Sequence, residues 1–432
     1  MSNRVLAGAA ALAFLSTSAV AQTAFDADAV VSDVRKVLAA NYVLPETRPK
    51  LDAVLAKGLA EGRYKVTDPT LLADRLNEDM SSVAHDKHLS ISFSPDRYRD
   101  LAAHPNAGDD DGPPSPEQIR EADRLNHGIV EMKVLPGNIR YINTIGFMWA
   151  GDTTRAVYDN AMRFLSGGDA AIIDLRNNGG GSPEAVQYMI SHFLPANRPI
   201  VTFYMRGAEG DTWKSLPSLP AGRMVGKPLY ILTSGMTASA AEEFTGHVAG
   251  FKIGEIVGAT TAGAGFRNSF FPVAGGYVMS VSVGRAVLAS TGKDWEGVGI
   301  APTSRVDQEK ALDVAQVHAL RTLATKATGE DKRVYEAAAS VLDAQVNPVA
   351  TALPIAGYAG AYGERHITAE NGKMMYQREG GAKHEMVAVG ANEFAFADAP
   401  LERVKFKVAG SSATEFELVR GDGSRLVAAR NP

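Results

Sequence analysis

Residues 170–183 read AAIIDLRNNGGGSP and contain an abrupt change of pattern. The apolar run at 170–173 has the length of a buried strand, and Ser182 and Pro183 fit the N-cap and first turn of a helix. A glycine-rich turn lies between them. Such a turn exposes backbone N–H groups that can bind an anion or an oxyanion, although glycines alone more often mark a plain tight turn. The stretch is not a phosphate loop, because no Gly-Lys-Ser/Thr follows.

A second strand-to-helix junction occupies residues 229–244, which read LYILTSGMTASAAEEF. Ser239 and Glu242 fit the S-x-x-E capping box, so Ser239 is expected to begin a helix. A serine on such a turn is also where hydrolases hold a nucleophile, since the turn exposes the hydroxyl and the next backbone N–H can face an oxyanion. The two interpretations are compatible.

The segments around both junctions predict an α/β layered core. Continuous apolar runs between helical patterns are typical of strands buried on both faces of a sheet. The helical periodicity of residues 26–82 predicts a three-helix unit, and the alternation at 89–93 predicts a half-buried strand. Composition then suggests a signal peptide over 1–21, an N-terminal helical domain with the first strand over 22–100, a loop over 101–126, the α/β core over 127–307, a helical segment over 308–347 and a β-rich domain over 348–432.

The composition limits the chemistry and the partners. The 432 residues include no cysteine, so disulfides, thiolate metal sites and a cysteine nucleophile are excluded. The net charge of −5 gives no basic footprint for nucleic acid. Arg4, an apolar run over 5–15 and a small-residue ending at Ala21 fit a secretory signal, and no later stretch has the ~20 apolar residues of a membrane helix. We expect an exported protein, periplasmic or extracellular, without a cofactor.

A serine nucleophile needs a base within hydrogen-bond distance, about 3 Å. His247 follows Ser239 by two helical turns, about 12 Å along the axis, which is too far. His85 and His88, arriving from the N-terminal unit, are the better candidates. Two alternatives remain for them: surface histidines before a strand, or a zinc site, for which no third ligand is evident in the sequence.

Three ordered motifs resemble the C-terminal processing, or tail-specific, serine peptidases: DLRNNGGG at 174–181, LTSGMTASAAEEF at 232–244 and DWEGVGIAP at 294–302. With DKHL at 86–89, they are most similar to the branch related to tricorn protease and the interphotoreceptor retinoid-binding protein repeats. The resemblance spans about residues 26–305. It implies a crotonase/ClpP-like layered core with an N-terminal three-helix cap, followed by a C-terminal antiparallel β domain outside the family pattern.

The resemblance also implies roles for the matching positions. Ser239 aligns with the nucleophile and His88 with the base. Glu296 aligns with the acidic residue that orients the imidazole or stabilises the imidazolium. The backbone N–H groups of Gly180 and Ala240 would form the oxyanion hole.

Three departures from the family pattern are informative. Residues 260–265 read TTAGAG and lack the lysine of the Ser-Lys dyads, which favours the Ser-His-Glu branch. Lys87 replaces the serine that precedes the base in tricorn-like enzymes, so Glu296 can couple to the base directly or through another hydroxyl. Phe93 and His127 are too close in sequence for the ~100 residues of a small domain, so we expect no PDZ insertion.

Two functions from different classes follow. The leading hypothesis is an exported serine peptidase that hydrolyses a peptide or protein substrate through an acyl-enzyme. The alternative is a non-catalytic binding protein that holds an apolar ligand or a peptide in the same cleft, as the retinoid-binding relatives suggest. Homo-oligomerisation is left open. The spatial relation of Ser239, His88, Glu296 and Gly180 discriminates between the two functions.

Overall fold

The computed structural model describes residues 26–103, 114, 116–205 and 209–432, so the predicted signal peptide lies outside the described residues. The helices are α1 (Ala27–Asn41), α2 (Arg48–Ala60), α3 (Pro69–Ser81), α4 (Pro95–Ala103), α5 (Pro116–Arg124), α6 (Asp152–Ser166), α7 (Pro183–Ser191), α8 (Ala240–Phe251), α9 (Ala311–Lys326), α10 (Gly329–Val346) and α11 (Ile355–Tyr358). Within the described residues, no helix is both long enough and apolar enough to cross a bilayer.

The strands fall into three sheets. In chain order they are β1 (Ser90–Phe93), β2 (Ile129–Leu135), β3 (Ile139–Thr144), β4 (Ala170–Asp174), β5 (Pro199–Met205), β6 (Asp211–Lys214), β7 (Leu229–Thr233), β8 (Glu255–Gly258), β9 (Phe266–Val273), β10 (Tyr277–Leu288), β11 (Ser304–Arg305), β12 (Gly360–Tyr362), β13 (Arg365–Glu370), β14 (Lys373–Arg378), β15 (Lys383–Gly390), β16 (Glu393–Phe396), β17 (Arg403–Ala409), β18 (Ser412–Val419) and β19 (Arg425–Ala429).

The central sheet has the strand order β11-β8-β7-β4-β3-β2, and its strands run parallel except for β2. Neighbouring residues of one strand face opposite layers. Ile173 packs in the cluster that contains α6, α7 and α8 residues, whereas Ile172 packs against α9 and α10. Both faces are therefore dry, which explains the continuous apolar runs. The predicted α/β layered core is confirmed.

The N-terminal helices form the expected cap. The Asp26 and Asp68 side chains accept backbone N–H groups at the starts of α1 and α3. The cap packs its buried leucines and valines on one face of β10, where Met279 and Val281 belong to the same cluster. The three-helix prediction is confirmed, and β10 is the surface that receives the cap.

A second sheet, which no local sequence pattern indicates, joins the cap to the core. Its order is β1-β10-β5-β6, with β9 on the other side of β10. The first half of β10 lies under the cap, while Ala286 and Leu288 in its second half belong to the core cluster. Because β1 pairs with β10 at Ser90 and Ser280, the segment just before β1 is delivered to the core.

The loop expected over 101–126 is wrong for part of its length. Helix α4 continues to Ala103, and α5 occupies Pro116–Arg124. Residues 104–113 and 115 lie outside the described part of the chain. Helix α5 buries only Ala122, so it has no apolar stripe that would have indicated a helix.

The C-terminal region contains the expected helical segment and antiparallel β domain. Helices α9 and α10 pack against the central sheet, and β12 to β19 form a meander in which each strand pairs with the next. The Asn431 N–H donates to the Ala361 carbonyl at 2.8 Å, which brings the end of the meander back to its first strand. The sheet is therefore nearly closed around an aromatic core.

Candidate active site

The two glycine- and serine-bearing junctions predicted from sequence lie against each other. Thr237 Oγ1 donates to the Leu175 carbonyl at 2.8 Å, and the Ala238 N–H donates to the Asn178 carbonyl at 3.1 Å. A Cβ atom added to Gly180 would lie 2.7 Å from Ser239 Cβ and 3.1 Å from the Ala240 nitrogen. Gly180 also has a φ of +110°. Close approach and backbone conformation both require glycine here.

Ser239 stands on a strained turn between β7 and α8. Its φ of 53° and ψ of −122° are values that residues with a side chain rarely adopt. Such strain costs about 1–3 kcal/mol and persists only where the surroundings enforce it. Hydrolases use the same kind of turn to present a nucleophilic serine.

The Glu242 carboxylate is fully buried and enforces this turn. Its Oε2 accepts the Ser239 N–H at 3.0 Å and the Ala264 N–H at 2.7 Å. Its Oε1 accepts the Thr261 hydroxyl at 2.5 Å and the Gly263 N–H at 2.6 Å. The bond to Ser239 is the one that the capping-box spacing predicted. The other three tie the serine turn to loop 260–265.

Residues 85–88, which read HDKH, pack beside these loops. The His88 carbonyl accepts the Ser280 hydroxyl at 2.5 Å, which continues the pairing of β1 with β10. The Lys87 ammonium donates to the Ala262 carbonyl, and the Ala262 N–H donates to the Thr237 carbonyl at 2.9 Å. The cap thereby holds His88 next to the serine turn.

His88 is a partly buried imidazole among carboxylates. Burial lowers its pKa from the usual value, and the negative charges of Asp86 and Glu242 partly oppose that effect. His88 therefore lies within electrostatic reach of the carboxylate that holds Ser239. Among the described residues, no hydrogen bond joins His88 to Ser239 or to Glu296; catalytic contacts in unliganded enzymes are often long and tighten with substrate.

Glu296 is bound to the loop that also contacts Glu242. Its Oε2 accepts the Gly265 N–H at 2.6 Å and the Phe266 N–H at 2.9 Å. Burial raises the pKa of Glu296 to about 7; the charges of Asp86 and Glu242 add to that rise, and the two N–H bonds oppose it. Glu296 thus shares one electrostatic environment with the predicted base, although it is anchored to loop 260–265.

Of the two predicted oxyanion donors, Gly180 has a partner. Its N–H donates to Asn178 Oδ1 at 2.9 Å, and the fully buried Asn178 amide also donates to the Thr144 carbonyl at 3.0 Å. Ala240 is the first residue of α8, where N–H groups have no partner within the helix. Asn178 lies in the motif quoted from the sequence, but that motif did not indicate its bond to Gly180.

The other histidines near the site are placed differently. The His85 side chain is exposed. His247 is buried on α8, where its Nε2 lies 3.3 Å from Glu243 Oε1. Within residues 26–103, 114, 116–205 and 209–432, no group of three or more His, Asp or Glu side chains could hold a metal ion.

The sequence matches two family models. Residues 138–306 match the model of peptidase family S41, and residues 10–133 match the model described as the N-terminal domain of Peptidase_S41 in eukaryotic IRBP. The chain belongs to peptidase family S41. It is a serine-type peptidase, which confirms the predicted enzyme class and the family resemblance. The family assignment favours the peptidase hypothesis over the non-catalytic alternative.

Several solved structures are similar to this S41 peptidase. The photosystem II D1 C-terminal processing protease shares 16% identity, with a TM-score of 0.43 over 66% of this chain and 94% of that one. A putative peptidase from Parabacteroides merdae shares 18% identity, with a TM-score of 0.45 over 65% and 90%. The tricorn protease shares 11% identity, with a TM-score of 0.41 over 67% and 35%.

Proposed function

We propose that this S41 peptidase is an exported enzyme that hydrolyses peptide bonds through an acyl-enzyme on Ser239. The observation that carries the proposal is the strained backbone of Ser239, against which Gly180 packs so closely that it also approaches the Ala240 nitrogen. A helix cap alone needs no such strain, because ordinary N-cap residues adopt extended backbone angles. Strain of this kind clusters at functional sites.

His88 acts as the base in this proposal. Its lowered pKa keeps the imidazole neutral near pH 7, ready to accept the Ser239 proton. Ser239 Oγ then attacks the peptide carbonyl, and His88 returns the proton to the leaving amine. Water, deprotonated by the same imidazole, releases the acyl group and restores Ser239.

The oxyanion binds at the N-terminus of α8. The Ala240 N–H and the helix dipole favour negative charge there. The Gly180 N–H is the second donor, and it shares or exchanges its bond to Asn178 when the oxyanion forms. Glu296 completes the proposed Ser-His-Glu arrangement by stabilising the imidazolium, in its ionised form.

The proposal extends to location and architecture. The signal-like segment at 1–21 supports export to the periplasm or beyond. Residues 94–128 separate β1 from β2, and this length, far below the ~100 residues of a small domain, supports the absence of a PDZ insertion. Selection of the peptide or protein substrate then rests on the cleft itself.

Labelling with a fluorescent alkyl fluorophosphonate tests the assignment. Ser239 Oγ displaces fluoride from phosphorus, so Ser239→Ala should abolish labelling and peptide hydrolysis while the folded state persists. Ser182→Ala is the matched control, because Ser182 caps α7 at the other junction. It should label normally despite losing about 1 kcal/mol of stability. Undiminished labelling of Ser239→Ala would refute the assignment, and an unreactive wild type would favour the binding-protein alternative.

A further inference from the structure

Asp86 and His88 belong to one tight turn before β1. Asp86 Oδ1 accepts the His88 N–H at 2.9 Å, and the Leu89 N–H donates to the Asp86 carbonyl at 3.3 Å. One carboxylate oxygen is therefore fixed by the backbone of the residue whose imidazole is the proposed base. The same bond places the second carboxylate oxygen, Asp86 Oδ2, on this turn.

Two polar atoms of this turn are buried without a partner. Asp86 Oδ2 and His88 Nδ1 each lack a hydrogen bond to any described residue. Buried polar atoms in folded proteins are nearly always paired, and an unpaired one costs about 1–3 kcal/mol. An acceptor and a ring nitrogen two residues apart on one turn, both without a partner, have complementary hydrogen-bonding capacity.

The charges around this turn make Asp86 a suitable partner. Tyr42, at the end of α1, faces Asp86; burial raises the pKa of its phenol, and the Asp86 charge and a side-chain hydrogen bond to Asp86 add to the effect. The Glu242 carboxylate already accepts four hydrogen bonds. Glu296 Oε2 already accepts two backbone N–H groups. Lys87 is directed to the Ala262 carbonyl. Asp86 Oδ2 is thus a buried carboxylate oxygen without a hydrogen bond of normal geometry, and a carboxylate oxygen can accept from the ring while the Tyr42 hydroxyl lies nearby.

We propose that Asp86 is a positioning residue for His88: its free oxygen holds Nδ1–H, so that Nε2 accepts the Ser239 proton and the carboxylate stabilises the imidazolium. This inference rests on the proposed function. No proton passes to Asp86 in this proposal, because the proton moves only between Ser239 Oγ, His88 Nε2 and the leaving group. Glu296 then acts as a second carboxyl in the same electrostatic environment.

The test separates the charge of Asp86 from its role in the turn. Asp86→Asn keeps an oxygen that can accept the His88 N–H but removes the charge. Without about one pKa unit of imidazolium stabilisation, fluorophosphonate labelling should slow about tenfold. The acidic limb of its pH profile should move to lower pH, together with the His88 pKa measured by NMR. Asp68→Asn is the matched control, since Asp68 accepts the Thr70 N–H in the same way on α3, and it should leave both readouts unchanged.

Asp86→Glu provides a second variant. It keeps the charge, so labelling should recover to within a few-fold of wild type. The inference is overturned if Asp86→Asn labels at the wild-type rate with an unmoved His88 pKa, or if Asn and Glu variants are equally slow. Retained labelling of Ser239→Ala would refute the proposed function instead, whereas the NMR titration of His88 reports on Asp86 independently of that outcome.

Discussion

The buried Glu242 carboxylate offers the most quantitative test of how the serine turn is held. Glu242→Gln preserves the size of the side chain and removes one of its two acceptor oxygens. The carboxylate receives four donors, two on each oxygen. The NH2 group of the glutamine would therefore replace one acceptor oxygen, and the two donors that bind that oxygen would lose their acceptor.

The cost of this change follows from the bonds. Each buried donor left without an acceptor costs about 1–3 kcal/mol, so two cost about 2–6 kcal/mol. The total stability of a folded domain is only about 5–15 kcal/mol. Loss of the charge near the start of a helix adds about 0.3–1 kcal/mol. Glu242→Gln should therefore destabilise the core strongly and slow labelling of Ser239.

Urea unfolding followed by tryptophan fluorescence measures this effect in the core, because Trp295 belongs to the core cluster and Trp149 and Trp213 pack against it. Glu184→Gln is the matched control. Glu184 also lies in the first turn of a helix after a junction, but it is partly exposed and receives fewer bonds. It should cost about 1 kcal/mol or less. A difference between the two variants below about 1 kcal/mol would refute the reasoning.

Two further predictions concern Ser239 and Glu296. Ser239→Gly relieves the backbone strain that Ser239→Ala retains. After the extra freedom of glycine in the unfolded chain is subtracted, Ser239→Gly should be more stable than Ser239→Ala by about 1 kcal/mol in the same urea assay. Equal stabilities would argue against strain. Because burial raises the pKa of Glu296 to about 7 from 4.5, its contribution to stability is intact below about pH 4.5 and is lost as the pH rises through about 7. Glu296→Gln should therefore gain stability over wild type between about pH 5 and about pH 8, and parallel profiles would contradict the shift.

The parts of the fold that sequence predicts well are those with local patterns. The runs at β4 and β7 are apolar throughout because both sheet faces are dry, so they identified the core directly. The second sheet cannot be predicted from local pattern, because β1 pairs with β10, which lies far away in the sequence. Periodicity carries no information on which strands pair. Helix α5 was missed because it buries almost nothing.

The site divides in the same way. The spacing of Ser239 and Glu242 predicted their bond, since a capping box depends on three residues of local sequence. The bonds from loop 260–265 to Glu242 form only because β7, α8 and β8 fold so that this loop lies next to the start of α8, and such tertiary contacts cannot be predicted from local sequence. The roles of Asn178 and Asp86 cannot be predicted from the sequence, because short polar side chains in turns are usually structural. Only the folded geometry shows which atoms they face.

Mass-spectrometric localisation of the fluorophosphonate adduct in the wild-type protein tests the central claim most directly. We predict a single adduct on the peptide that contains Ser239, with none at Ser182 or Ser234, and loss of the adduct when His88 is replaced by alanine. An adduct on another serine, or one on Ser239 that forms equally fast without His88, would contradict the account.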